Sequence, residues 1–382
     1  MLKTGGIIVL VCSKCGRVYP EDTREYRCAC GGWFDYVFSQ EPRFDKNSIV
    51  KGPLTLWRYA DALPLPAGAE SVTMGEGMTP LIPFEWGGRQ ILFKLDHVLP
   101  TGSYKDRGMA YLVSRLKAAG IGEVVEDSSG NAGAAMASYC ARAGVTCNVY
   151  VPDYTSQGKC VQILASGAQL HRVPGSREDT TAAAMAAGAT SFYASHNWSP
   201  GFVMGLATWA YEVWEQMGWA VPDTAVVPVG QGSIALGAWY GFQKLKAAGQ
   251  IDRCPRIIAV QSSGCAPLAE AWERGLDEPV KIVKTSALAE GIASSEPVKG
   301  TAILKQVRAS GGFFVSVTDE EVKKAFFELA HRGIYVEPTS AVVAAALTCL
   351  AAQGAFGKDE KIGAFTSGSG LKATDHLLDF FG

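Results

Sequence analysis

From about residue 90 onward, short β-branched runs alternate with Ala-rich stretches of helical period, which limits the chain to β-α-β units on parallel sheets. The expected strands are Ile91–Lys94, Glu123–Glu126, Cys147–Val151, Gln169–Val173, Ala225–Val229, Arg256–Val260, Phe313–Val317 and Ile362–Phe365. Helices fill the gaps. Ala132–Ala143 is expected to end at Gly144 as a C-terminal cap. Thr318-x-x-Glu321 is a capping box, opening a helix that sets Val322, Phe326 and Leu329 on one face. At 382 residues the chain exceeds one compact domain, so two α/β lobes and a small appendage are expected.

The appendage is N-terminal. Cys12-x-x-Cys15 and Cys28-x-Cys30-Gly31-Gly32 read as a small cysteine ribbon, for which a tetrahedral zinc site of four thiolates is one reading. A ribbon that keeps the cysteines without the metal is the other. The run MLKTGGIIVLVC is too short to span a bilayer and leads straight into the first cysteine pair, so it reads as a buried strand and not a signal peptide. Residues 39–70 hold several prolines and no sustained period, which fits a connecting arm with a short helix around Leu54–Leu63. Of the ten cysteines, Cys140, Cys147, Cys160, Cys254, Cys265 and Cys349 sit in apolar or Ala-rich surroundings, as reduced core residues of a cytoplasmic protein do. With 48% hydrophobic and 19% charged residues and a net charge of -2, the chain lacks the footprint for nucleic acid or an acidic membrane surface. A small-molecule partner fits better.

Four polar, Gly-rich clusters carry the chemistry. Pro100-Thr101-Gly102-Ser103-Tyr104-Lys105-Asp106-Arg107-Gly108 follows a strand and precedes the helical run Met109–Ala119; a lone lysine there would be read as a solvated charge. Ser128-Ser129-Gly130-Asn131-Ala132-Gly133 stands at a strand-to-helix junction, where free N–H groups and the helix dipole favour a carboxylate. A plain N-cap would need less than two serines, two glycines and an asparagine. Pro228-Val229-Gly230-Gln231-Gly232-Ser233 is a cradle for a phosphate ester at the head of Ile234–Ala247. With Ala235 it also matches G-x-G-x-x-A, the dinucleotide fingerprint. That rival needs an acidic residue at the end of the next strand, and Arg256–Gln261 ends in an amide followed by serines, which argues against a nicotinamide enzyme. Thr366-Ser367-Gly368-Ser369-Gly370 ends the last strand. Clusters at the carboxyl ends of parallel strands point to one ligand crevice.

Taken together, these segments resemble fold-type II pyridoxal-phosphate enzymes, the tryptophan synthase β-like superfamily, and most closely the threonine synthases. Pro100–Gly108 resembles the lysine motif, and Ser128–Gly133, Gly230–Ser233 and Ser367–Gly370 follow in the family's order. Gly75-Glu76-Gly77-Met78-Thr79-Pro80-Leu81 resembles the motif that opens the catalytic region. The Cys12–Gly32 ribbon is shared with many threonine synthases. The resemblance implies a ribbon over residues 1–45, a large cofactor-binding domain from 46–94 and 208–382, a small domain over 95–207, and a homodimer. It implies that Lys105 carries the cofactor as a Schiff base and shuttles protons at Cα, that Asn131 bonds the cofactor's 3′-oxygen, and that Ser367 faces the pyridine nitrogen. Such a hydroxyl leaves the ring less electron-withdrawing than a carboxylate partner would, which suits elimination and replacement. Gly230, Gln231, Gly232 and Ser233 would hold the cofactor phosphate, and Ser128, Ser129 and Gly130 the substrate carboxylate.

For threonine synthase chemistry on O-phosphohomoserine the pocket must also meet a second phosphate, and the cationic candidates are Lys159 and His196. Ser195–Val203 resembles the family's substrate-phosphate segment, but Phe202 and Val203 stand where a basic residue often follows the proline, removing a strong charge-assisted contact. The competing expectation is a dehydratase or β-replacing synthase acting on a β-hydroxy or O-phospho amino acid with the same Lys105, Asn131 and Ser367, and with Trp198 and Phe202 lining an apolar pocket. Glu290 and Glu337, in motifs that recur near the cofactor in this family, are second-tier candidates.

Overall fold

The computed structural model describes residues 8–285 and 288–381. Its strands in chain order are β1 (Ile8–Cys12), β2 (Val18–Pro20), β3 (Phe34–Phe38), β4 (Leu81–Trp86), β5 (Arg89–Leu95), β6 (Glu123–Glu126), β7 (Thr146–Pro152), β8 (Gln169–Val173), β9 (Thr224–Pro228), β10 (Arg256–Ser262), β11 (Phe313–Val317) and β12 (Ile362–Thr366). The helices are α1 (Lys46–Lys51), α2 (Lys105–Ala118), α3 (Asn131–Ala143), α4 (Gln157–Ala165), α5 (Arg177–Ala187), α6 (Pro200–Leu206), α7 (Thr208–Gln216), α8 (Ser233–Ala247), α9 (Pro267–Glu273), α10 (Gly300–Ala309), α11 (Asp319–His331), α12 (Pro338–Ala352) and α13 (Thr374–Leu378). No helix among the described residues is long and apolar enough to cross a membrane. The chain divides into two compact units. One takes in the residues through Gly77 with Lys105–Leu206, and the other Met78–Tyr104 with the residues from Ala207 onward.

In the first unit, β6, β7 and β8 form a parallel sheet in that order, and β2-β1-β3 forms an antiparallel ribbon. The expected N-terminal strand is β1; the residues before Ile8 lie outside those described. The short helix of the arm is a 3-10 segment, Leu56–Ala62, capped by the Thr55 hydroxyl. Small residues let the helices close up. A Cβ on Gly108 would fall 2.3 Å from the Phe202 ring, and one on Gly205 would fall 2.1 Å from the Arg107 carbonyl, so α2 and α6 touch almost backbone to backbone. Gly144 ends α3 at φ 71, the left-handed conformation that glycine takes without a Cβ clash.

In the second unit, one sheet runs β11-β10-β9-β12-β5-β4, parallel except for β4, which pairs antiparallel with β5 at the edge. β4 is the strand that the parallel pattern does not anticipate. Its signal is the Gly87-Gly88 pair, both at positive φ, which turns a two-residue hairpin. α12, apolar on all sides, is buried nearly throughout and forms the centre of the core. The Trp86 indole donates to the Ala344 carbonyl and to the Thr348 hydroxyl, each at 2.9 Å. A buried ion pair also holds this unit: Lys94 Nζ on β5 lies 2.7 Å from the Glu212 carboxylate on α7, and both side chains are fully excluded from solvent. The same ammonium donates to the Thr79 carbonyl at 2.6 Å and the Gln216 amide oxygen at 2.7 Å. The capping box at Thr318 and Glu321 opens α11 as expected.

Candidate active site

In the first unit, Lys105 is the first residue of α2. Its Nζ lies 5.4 Å from the centroid of the Phe202 ring, which is fully buried on α6. His196 also neighbours that ring, edge-on at 5.5 Å. His196 is anchored in turn by Glu126 at the end of β6. Its Nδ1 lies 3.0 Å from one carboxylate oxygen, and its backbone N–H donates to the other at 3.3 Å. Lys105, Phe202, His196 and Glu126 therefore form one contiguous line. Glu126 is the member that sequence reasoning missed; the available signal was an acidic residue closing a strand otherwise buried at Val124 and Val125.

The loop Ser128–Gly130 follows β6, with Gly130 as the N-cap of α3 and Asn131 its first residue. The opening turn of α3 leaves N–H groups without intrahelical partners, the arrangement that receives a carboxylate. Gly133 makes the approach possible, since a Cβ there would lie 1.9 Å from the Ser128 carbonyl oxygen. Gly133→Ala is expected to push the loop outward. The resulting overpacking should cost roughly 1–3 kcal/mol in a denaturant melt, and kcat/KM should fall about 100-fold. Unchanged kinetics would show that the loop does not hold substrate. Lys159 lies half-buried on α4, which packs against α3. In the Gly75–Leu81 motif, the buried Glu76 carboxylate accepts from Tyr139 on α3 at 2.9 Å and from the Met74 N–H at 2.8 Å. Burial pushes its carboxyl up from the usual range, against those hydrogen bonds.

In the second unit, the Gly230–Ser233 loop and Ser367 stand at the carboxyl ends of β9 and β12, which are neighbours in the sheet. Both glycines of the loop are required. A Cβ on Gly230 would meet the Ile292 backbone at 2.6 Å, and Gly232, at φ +75, has Ile303 at 2.1 Å from the same position. Gln231 spends its side chain on the segment after Glu290–Ile292, donating to Ser294 at 2.7 Å and accepting from the Val298 N–H at 2.9 Å. Its backbone, with that of Gly232 and Ser233 at the head of α8, is what remains for a phosphate.

Ser367 is buried in a hydroxyl network. Its Oγ lies 2.9 Å from Ser340 Oγ and donates to Glu337 Oε1 at 2.9 Å. Its carbonyl accepts from the Tyr104 N–H at 2.8 Å, and Gly102 accepts from the Ser369 N–H at 2.9 Å, so the residues leading into Lys105 are stitched to this loop. The Tyr104 ring stands edge-on to Phe365 at 5.3 Å, and its hydroxyl lies 3.3 Å from Ser233 Oγ. Ser103 Oγ is fully buried without a hydrogen-bond partner. An orphaned buried hydroxyl costs free energy unless a ligand satisfies it. Within the second unit, the glycine-lined cradle and the unsatisfied Ser103 hydroxyl fit a phosphorylated cofactor.

Residues 72–368 match the family of pyridoxal-phosphate dependent enzymes. The chain belongs to that family. Within it, the chain is 34% identical over 378 residues to threonine synthase of Methanocaldococcus jannaschii, covering 96% of this chain and 93% of the relative. The threonine synthase of Methanosarcina acetivorans is 32% identical over 380 residues, covering 97% and 93%. That of Mycobacterium tuberculosis is 34% identical over 334 residues, covering 85% and 90%. Among solved structures, the processed form of threonine deaminase isoform 2 from Solanum lycopersicum matches with a TM-score of 0.69 at 20% identity over 90% of this chain and 91% of that one. Maize serine racemase matches at 0.68 and 21% over 79% and 91%; at these identities both likenesses speak for the fold alone. The expected fold class, a fold-type II pyridoxal-phosphate enzyme with a cysteine ribbon, stands.

The four ribbon cysteines converge. The sulfurs of Cys12, Cys15, Cys28 and Cys30 all lie within 4.8 Å of one another. Cys12 is 3.4 Å from Cys30 and Cys15 is 3.6 Å from Cys28, both outside bonding distance. The Tyr19 hydroxyl donates to Cys28 at 3.2 Å, and that contact leads in bringing the Cys28 thiol down to about 6.

Proposed function

We propose that this chain is a threonine synthase, a pyridoxal-phosphate-dependent lyase that converts O-phospho-L-homoserine and water to L-threonine and phosphate. The observation that carries the reading is threonine synthase relatives at 32–34% identity aligned along nearly the whole chain, ribbon included. When bound, pyridoxal phosphate supplies an electron-withdrawing ring conjugated to the substrate's α carbon, which acidifies the α proton. Lys105 anchors the cofactor through its amine and moves protons at Cα. Asn131 holds the 3′-oxygen, and Gly230, Gln231, Gly232 and Ser233 bind the cofactor phosphate through backbone N–H groups and the serine hydroxyl. Ser367 meets the ring nitrogen. Ser128, Ser129 and Gly130 take the substrate carboxylate, while His196, held by Glu126, and Lys159 meet the substrate phosphate. Phe202 sets an apolar ring face toward the Lys105 amine.

One observation favours a second reading. Phe202 lies against Lys105, and by the family resemblance it and Val203 stand where a basic residue often follows the proline, which suits a substrate without a second phosphate: a serine- or threonine-type dehydratase, or a β-replacing synthase. The test is phosphate release and threonine formation from O-phospho-L-homoserine by the cofactor-loaded protein, with ammonia release from L-threonine and L-serine followed in parallel. Phosphate and threonine together are expected. Ammonia without phosphate turnover would transfer the assignment to a dehydratase.

The ribbon geometry supports structural zinc on Cys12, Cys15, Cys28 and Cys30, since four thiolates are a usual closed zinc site. Protein purified without chelator should carry close to one equivalent per chain, and removing it should unfold the ribbon first. Metal content well below one equivalent would end the zinc assignment. That none of the ten cysteines is disulfide-bonded, with the six outside the ribbon in apolar or Ala-rich surroundings, supports a cytoplasmic location. The homodimer implied by the family resemblance is expected in sedimentation at micromolar concentration.

A further inference from the structure

The hydroxyl network around Ser367 admits a proton count. A serine hydroxyl has one proton to give and two lone pairs to receive. Ser340 Oγ receives the backbone N–H of Ser367 at 2.8 Å and of Gly368 at 3.0 Å, which occupies both lone pairs. Its own proton can go to Ser367 Oγ at 2.9 Å or to the Gly368 carbonyl at 3.2 Å. In either case Ser340 has no lone pair left for Ser367, so the Ser367 proton goes to its remaining acceptor, Glu337 Oε1 at 2.9 Å. All three side chains are more than nine-tenths buried, so bulk water does not compete for these bonds.

Glu337 is the N-cap of α12, where the positive end of the helix dipole favours a carboxylate, and a carboxylate only accepts. It is held in place from two sides. Its backbone N–H donates to the Gly368 carbonyl at 2.9 Å, and its side chain packs so tightly on Gly368 that a Cβ there would meet the carboxyl at 2.6 Å. Ser367 thus has no proton to offer a further partner and can only accept from one.

We infer that Ser367 serves the cofactor as a hydrogen-bond acceptor, so that the ring nitrogen carries a proton in the resting holoenzyme, with Glu337 as the positioning residue that fixes this. The inference rests on the reading above that Ser367 meets the ring nitrogen. It places a carboxylate one hydroxyl behind that nitrogen, so the ring is a stronger electron sink than a lone neutral hydroxyl would make it. Glu337→Gln should reverse the polarity, because its amide can donate to Ser367 Oγ and turn the serine proton toward the ring.

The experiment is ¹⁵N NMR of the holoenzyme loaded with pyridoxal phosphate labelled at the ring nitrogen, for the wild type, Glu337→Gln and Ser367→Ala. The expected result is a pyridinium resonance in the wild type that moves to the unprotonated pyridine position in Glu337→Gln. The wild-type spectrum alone decides the protonation state, so a Glu337→Gln chain that fails to fold leaves that half of the inference open to refutation. A wild-type resonance at the pyridine position that shifts in Ser367→Ala would overturn the proton count while keeping Ser367 at the ring. A pyridine resonance that Ser367→Ala leaves unmoved would overturn both the count and the placement. A pyridinium resonance unchanged in Glu337→Gln would remove Glu337 from the role.

Discussion

Lys105→Ala is expected to abolish turnover, a loss of roughly 10⁴-fold or more, since in the proposed reading it removes both the covalent anchor and the group that moves the α proton. The fold should survive. Lys105 opens α2, and alanine is the best helix former at such a position. Its amine faces the Phe202 ring, and alanine leaves that ring's packing on Gly108 in place. Wild-type protein should show the visible absorbance of a lysine-bound cofactor and, after borohydride reduction, a mass increment on the peptide containing Lys105. The variant should show neither, with an unchanged circular dichroism spectrum. A reducible link between cofactor and protein persisting in Lys105→Ala would assign the anchor to another lysine.

Glu212→Gln should cause a large loss of stability, up to about 3–5 kcal/mol, because it removes the carboxylate that pairs with the Lys94 ammonium in a site closed to water. Gln216 and Thr79 would still accept two of its hydrogen bonds, but neither carries the compensating charge. Urea unfolding followed by tryptophan fluorescence would report the midpoint. Replacing both partners with apolar residues, Lys94→Met with Glu212→Leu, should recover much of the loss, since the pair's stability reflects mainly the cost of breaking it. A single Glu212→Gln variant within about 0.5 kcal/mol of wild type would show that water or another group neutralises the lysine.

The strand bounds and the buried ion pair mark where sequence reading of the fold succeeds and stops. The loop leading into Lys105 could be proposed as a site because its motif lies among neighbours in sequence, and β6, β8 and β11 have the bounds their β-branched runs predict. Strands such as β10 run a residue or two beyond the expected limits, since polar residues such as Gln261 and Ser262 can pair in a sheet without altering the apolar pattern. The Lys94–Glu212 pair was not legible. A lysine in the run Ile91–Leu95 reads as a strand residue reaching solvent, and only the tertiary fold brings α7 beneath it. Glu126 and Ser340 escaped for the same reason: their partners, His196 and Ser367, are distant in sequence, and side-chain hydrogen bonding leaves no periodicity. The edge strand β4 escaped because Pro83 lowers its strand signal, although the Gly87-Gly88 turn announces it.

The place of β12 in its sheet bears on how the protein is made. It lies between β9 and β5, yet the ribosome delivers it after every other strand. Until residue 366 emerges, β5 and β9 have no common neighbour, and their inner edges stay open to wrong partners. The second unit therefore completes its sheet by inserting a late strand between two early ones, a non-local step that slows folding. The loop carrying Ser367, with its bonds to Ser340 and Glu337, arrives with that strand and is set only once the sheet has closed.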